Sequence, residues 1–275
     1  MGLKLSQTVI MSDVDGTLLH TGAKTTSSRN LEALNRYTSR GGRLAIATGR
    51  SLVLTRHLAE ALPVNFPCII FNGGGIYDFQ KDEYLSQIYL PKEVPSTEYA
   101  RQIRAAFPDC GTIFINAAGY FDIDGISRRD YFDRYPNPKL ETTRFDDLGD
   151  GSYFKVVFLY PPDRAKLIYE YAQSQPFGGV RFVFSDNYML EMLPANSSKG
   201  AAMAILAELA GVSRENMIAI GDYFNDFEMI EYAGIGVTLS DAPEEIKAVA
   251  QMIVCPCVQD SLADLIERLE AEYEY

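Results

Sequence analysis

Two aspartates one residue apart, in Asp13-Val14-Asp15-Gly16-Thr17, stand directly after the apolar run Val9-Ile10-Met11. Such a run reads as a buried strand, and parallel sheets bind ligands at the carboxyl ends of their strands. Carboxylates about 4 Å apart repel by about 4 kcal/mol at an effective dielectric of about 20, so the pair calls for a cation. Oxygen ligands alone suit Mg²⁺ better than zinc or copper. A second acidic cluster, Gly221-Asp222-Tyr223-Phe224-Asn225-Asp226, follows the run Met217–Ile220 in the same way. Thr48-Gly49-Arg50 follows the run Leu44–Ala47 and opens a helix, where a hydroxyl and free backbone N–H groups make a seat for phosphate. Lys199, in Ser197-Ser198-Lys199-Gly200, also opens a helix and supplies a point charge.

The elements that must position these residues alternate strand and helix at both ends of the chain. Near the start, strands at Thr8–Ser12, Arg43–Ala47 and Cys68–Phe71 flank helices at Ser28–Arg40 and Ser51–Leu62, with Gly41-Gly42 able to stop the first in left-handed geometry. Near the end, helices at 198–210, 226–232, 243–250 and 261–272 alternate with strands at Met217–Ile220, Ile235–Thr238 and Met252–Val254. That rhythm implies a doubly wound α/β fold with a parallel sheet. If the strands before Asp13 and Asp222 are both central, the two acidic clusters converge.

The middle of the chain differs: it is rich in Tyr and Phe, with hairpins expected at Gly119 and Asp124-Gly125 and helices at Thr97–Phe107 and Asp163–Gln173. Connections in a compact sheet are commonly about 4–6 residues, so this interval must pack as its own unit. The expected division is a catalytic core of residues 1–81 and 187–275 with an inserted α+β domain at 82–186. Asp122-Ile123-Asp124-Gly125 repeats the spelling of the first motif but lacks its threonine, and reads as a turn.

With 25 Lys and Arg against 37 Asp and Glu, the chain carries a net charge of −12 and disfavours nucleic acid as a partner. The 47% hydrophobic content excludes disorder, and four scattered cysteines exclude a disulfide scaffold. No export signal or membrane span is read, so a cytoplasmic protein with no membrane partner is expected. Two histidines, His20 and His57, leave little material for histidine triads or zinc sites, and no nucleophile elbow or Walker loop occurs.

The four motifs together resemble the haloacid dehalogenase superfamily of phosphatases, and the whole chain looks like its Cof-type branch. Asn72-Gly73 and Gly234-Ile235-Gly236-Val237 fit that branch too, and the middle unit matches its type 2 cap in size and location. The resemblance implies that Asp13 attacks phosphorus to give a transient aspartyl-phosphate. It implies that Asp15 acts as general acid and then base, and that Lys199 offsets charge on Asp13 and the phosphoryl group. Mg²⁺ would be held by the carboxylates of Asp13 and Asp222 and the carbonyl of Asp15, with Asp226 behind them holding metal waters or Lys199. Thr48, Gly49 and Asn225 would bind phosphoryl oxygens. Arg50 stays open between substrate binding and a structural ion pair.

The expected activity is Mg²⁺-dependent hydrolysis of a small phosphorylated metabolite, a sugar phosphate or a phosphorylated cofactor, with the cap closing over the leaving group. A phosphotransferase or mutase using the same intermediate, and an idle sensor of metal and phosphate, are the other readings. Arg128, Arg129, Tyr131 and Tyr188 are candidates to touch a leaving group, though aromatic residues there more often form the cap's own core. Oligomeric state is not legible.

Overall fold

A computed structural model describes residues 3–20, 22–125, 140–149 and 151–275. The chain divides into two compact units, Met1–Ser86 with Ser198–Tyr275, and Gln87–Ser197.

The first unit is built on a parallel sheet in the order β14-β13-β12-β1-β2, formed by Val9–Ser12 (β1), Arg43–Ile46 (β2), Met217–Gly221 (β12), Ile235–Leu239 (β13) and Met252–Val254 (β14). Every residue of β1 and β12 is buried, as expected of central strands covered on both faces. Helices Ser28–Ser39 (α1), Leu52–Ala61 (α2), Lys199–Ala210 (α5), Phe227–Tyr232 (α6), Glu244–Lys247 (α7) and Ser261–Glu272 (α8) complete the unit. Side-chain caps start α1, α2 and α5: Ser27 accepts the N–H of Asn30 and Ser198 that of Ala201, each at 3.0 Å, and Ser51 that of Leu54 at 3.4 Å. Gly41, at φ +100°, ends the turn after α1 in the left-handed geometry read from the sequence.

The third strand departs from expectation. Cys68–Ile70 (β3) forms no ladder with β2: a parallel bridge joins Ile69 to Ala47, just past β2, and the N–H of Ile46 donates to Cys68 Sγ at 3.3 Å. Its main partner is Gly75–Asp78 (β4), antiparallel, in a three-stranded sheet completed by Glu83–Gln87 (β5). The expected boundary at 81/82 therefore falls in the β4–β5 turn.

The second unit carries a sheet in the order β10-β11-β9-β6-β7-β8, from Gly111–Ile115 (β6), Tyr120–Ile123 (β7), Leu140–Thr143 (β8), Lys155–Leu159 (β9), Val180–Asp186 (β10) and Met189–Pro194 (β11). Helices Ser96–Ala106 (α3) and Ala165–Ser174 (α4) pack Ala100, Ile103, Ile168 and Ala172 into a core with Phe114, Val156, Phe158, Leu190 and Met192. The expected boundary at 186/187 is corrected here. β10 and β11 pair antiparallel from Val180↔Pro194 to Asp186↔Met189, so both arms of that hairpin belong to the second unit. The hairpin at Gly119 joins β6 to β7. Asp124 and Gly125 are both left-handed, as a tight turn requires, yet the described neighbour of β7 on that side is β8, which runs parallel. Ile126, expected to follow that turn, lies outside the described residues, as do Arg128, Arg129 and Tyr131.

Candidate active site

Strand register brings the motifs together. Ser12 stands opposite Ile220 on β12 and Ile46 on β2, so Asp13, Asp222 and Thr48 emerge from neighbouring strands at one edge of the sheet. The N–H of Asp13 donates to the carbonyl of Ile220 at 2.9 Å, fixing how the first loop leaves.

Lys199, the first residue of α5, is fully buried, and its Nζ donates to Asp13 Oδ1 at 2.5 Å and to Asp226 Oδ1 at 2.6 Å. Asp226 spends its other oxygen on the backbone, accepting from the N–H groups of Asp222 at 3.0 Å and Tyr223 at 3.2 Å. Asp222 Oδ1 accepts the hydroxyl of Thr17 at 2.6 Å. A side chain on Gly16, at φ +90°, would place its Cβ 2.5 Å from Asp222 Oδ2, so glycine serves both the turn and the close approach.

Oxygen atoms of Asp13, Asp222 and Asp226 all lie within 4.8 Å of one another. Asp226 is committed to Lys199 and the backbone. Among the described residues, Asp13 Oδ2 and Asp222 Oδ2 receive no hydrogen bond. Burial, reinforced by Asp226, pushes the Asp13 carboxyl up to about 7 despite Lys199. Burial, with Asp13 and Asp226 beside it, likewise raises Asp222 well above the carboxylate range. Burial alone works against the Lys199 ammonium, but the two carboxylates outweigh it and hold its pKa above the ordinary lysine value. Crowded oxygen donors that resist ionisation fit a hard divalent cation such as Mg²⁺.

Thr48 is buried, and its Oγ1 accepts the N–H of Arg50 at 3.1 Å. A Cβ on Gly49 would lie 2.9 Å from the amide nitrogen of Asn72, and Asn225 Nδ2 donates to Asn72 Oδ1 at 3.1 Å. The N–H of Asn72 donates to the carbonyl of Thr48 at 3.0 Å, so Thr48, Gly49 and Asn225 meet around Asn72, which the sequence offered only through the Asn72-Gly73 pair that fits the Cof-type branch. Asn72 stands at φ +53° just after the buried strand β3, a left-handed position that asparagine tolerates. Thr17 was read as motif spelling, whereas it anchors Asp222. Arg50 pairs with Asp15, its Nε 2.8 Å from Oδ2 and its Nη2 2.6 Å from Oδ1.

The arrangement is that of an α/β protein whose parallel sheet gathers aspartates and a buried lysine at its strand ends, with an α+β unit inserted in the chain. The chain belongs to the haloacid dehalogenase-like hydrolases, whose family profile matches residues 10–266. It is 28% identical over 272 residues to the pyridoxal phosphate phosphatase YbhA of Escherichia coli, spanning 94% of this chain and 97% of that one. It is 26% identical over 292 residues to the 5-amino-6-(5-phospho-D-ribitylamino)uracil phosphatase YwtE of Bacillus subtilis, spanning 94% and 97%. A haloacid dehalogenase-like hydrolase from Bacteroides thetaiotaomicron superposes with a TM-score of 0.77 at 28% identity, over 95% of this chain and 99% of that one. The chain is a Cof-type phosphatase, a phosphoric monoester hydrolase. Among the described residues no helix is long and apolar enough to cross a membrane, and Cys68, Cys110, Cys255 and Cys257 are free thiols.

Proposed function

We propose that this phosphatase hydrolyses a small phosphorylated metabolite, a sugar phosphate or a phosphorylated cofactor, with Mg²⁺ and through an aspartyl-phosphate on Asp13. The observation that carries the reading is the pairing of Asp13 with Lys199, which holds a buried carboxylate ready beside Asp222. Asp13 and Asp222, with the backbone carbonyl of Asp15, would hold Mg²⁺. Bound there, Mg²⁺ supplies positive charge for the carboxylates and the phosphoryl oxygens.

A carboxylate oxygen of Asp13 attacks phosphorus, forming the new O–P bond as the ester P–O bond breaks. The leaving oxygen takes its proton from Asp15. Asp15, now a carboxylate, removes a proton from water as that water attacks phosphorus. The acyl-phosphate O–P bond breaks, inorganic phosphate departs and Asp13 is restored. Lys199 offsets charge on Asp13 in both halves, while Thr48, Gly49 and Asn225 bind phosphoryl oxygens. Two relatives are named as phosphatases of pyridoxal phosphate and of 5-amino-6-(5-phospho-D-ribitylamino)uracil, which favours small phosphorylated metabolites as the substrate class.

Turnover of p-nitrophenyl phosphate by Asp13→Asn and by the wild-type protein in excess EDTA tests the mechanism. Both should be inactive, with the variant folded by circular dichroism. Activity persisting in either overturns it. Screening metabolite phosphates for release of inorganic phosphate then separates hydrolysis from transfer to another acceptor.

A further inference from the structure

The C-terminal helix reaches the acidic centre through two buried hydrogen bonds in series. Ser261, the first residue of α8, is fully buried, and its Oγ donates to the backbone carbonyl of Thr17 at 2.7 Å. Thr17, equally buried, passes the constraint on by donating its own hydroxyl to Asp222 Oδ1 at 2.6 Å. A carbonyl removed from water needs a donor, so the hydroxyl at 261 decides where the Thr17 backbone can rest.

The helix supplying that hydroxyl is itself held in place. The N–H of Ala263 donates to Asn30 Oδ1 at 2.9 Å, and Asn30 is buried on α1. Arg29 and Arg36 of α1 also pair with Glu267 and Glu270 of α8. Ser261 therefore projects from a fixed platform. The loop that carries Thr17 also runs close to the other carboxylate oxygen: a Cβ at Gly16 would lie 2.5 Å from Asp222 Oδ2.

We propose that Ser261 is a positioning residue for Asp222, acting through Thr17. Its bond fixes the Thr17 hydroxyl against Oδ1, so that Oδ2 is the oxygen presented to a cation. The proposal rests on the Mg²⁺ reading above.

The test is calorimetric titration of Mg²⁺ into the metal-free protein. Ser261→Ala should weaken binding about tenfold, the lower end of what outer contacts to metal ligands contribute. Thr17→Val, which removes the hydroxyl but keeps the shape and the carbonyl, should weaken it at least as much. In the Thr17→Val background, Ser261→Ala should cost nothing further, a coupling that a merely structural serine would not show. If Ser261→Ala does not fold, Ser261→Cys takes its place, keeping the volume and weakening the donor. Wild-type affinity in the Ser261 variant, or the same loss with and without the Thr17 hydroxyl, overturns the proposal while leaving the Mg²⁺ reading intact. A wild-type protein that binds no Mg²⁺ and stays active in EDTA overturns both.

Discussion

Arg50 grips both carboxylate oxygens of Asp15, and the two residues differ sharply in exposure: the arginine side chain is 8% accessible and the aspartate 50%. A planar fork on a planar carboxylate fixes orientation as well as distance. The half-open aspartate is therefore aimed by a partner that is itself locked. The structure shows Arg50 in an ion pair, and its partner is the proposed acid and base. Arg50→Ala should lower kcat by about tenfold or more, up to the ~10²–10⁴ that general acid–base catalysis supplies. Arg50→Lys should recover little of it, because an ammonium cannot match both oxygens. Steady-state kinetics at saturating Mg²⁺ check this; a lysine variant as active as wild type would refute the aiming role.

Lys199 neutralises two carboxylates that are themselves out of water. Lys199→Met keeps the length of the side chain and strands both. Breaking a buried pair by removing one partner costs about 3–5 kcal/mol, so urea unfolding should show a loss of that order. Turnover should fall by about 10²–10³. A variant as stable as wild type would show that the ammonium does not hold the two carboxylates in the fold.

Gly16 and Gly22 offer a matched comparison. Both sit at positive φ, +90° and +84°, so alanine at either pays the left-handed penalty of about 1–2 kcal/mol. Only at Gly16 would the new Cβ strike Asp222, whereas at Gly22 nothing lies within 4 Å. Gly22→Ala should lose stability and keep its Mg²⁺ affinity. Gly16→Ala should lose both, read by thermal melts with and without Mg²⁺.

Mg²⁺ affinity should depend on pH. The Asp13 carboxyl rises from 3.8 to about 7 on folding, through burial and then Asp226. The stability linked to that group in the metal-free protein is thus complete below about pH 4 and is lost as pH climbs through about 7. A cation needs the carboxylate, so below pH 7 it must displace a proton. Affinity should fall by about tenfold per pH unit for each proton displaced. Titrations at pH 6, 7 and 8 that give one affinity would contradict this.

Much of the fold could be read because strand ends and helix starts carry local chemistry. Helix 261–272 and strand Met252–Val254 agree with the sequence to the residue, and β12 runs one residue longer. What could not be read depends on partners far along the chain. Met189–Pro194 has an apolar character that would suit either unit; only its pairing with β9 and β10 assigns it. Cys68–Ile70 looks like the next parallel strand until the Gly75–Asp78 hairpin arm claims its edge. In the site, the acidic motifs announce themselves by charge at strand ends. Asn72 and Ser261 are small polar residues whose importance lies wholly in which buried atoms they reach, and spacing encodes none of that.

The sheet order places β1 between β2, a few tens of residues downstream, and β12, beyond the inserted unit. During synthesis the Val9–Ser12 strand can therefore have one flank covered early, while the other waits for the ribosome to deliver most of the remaining polypeptide. An apolar edge left bare for that interval is open to sticking to other nascent chains. Slow translation through the insertion, or a chaperone that shields the flank awaiting β12, should decide how much of this enzyme reaches its native state in a cell.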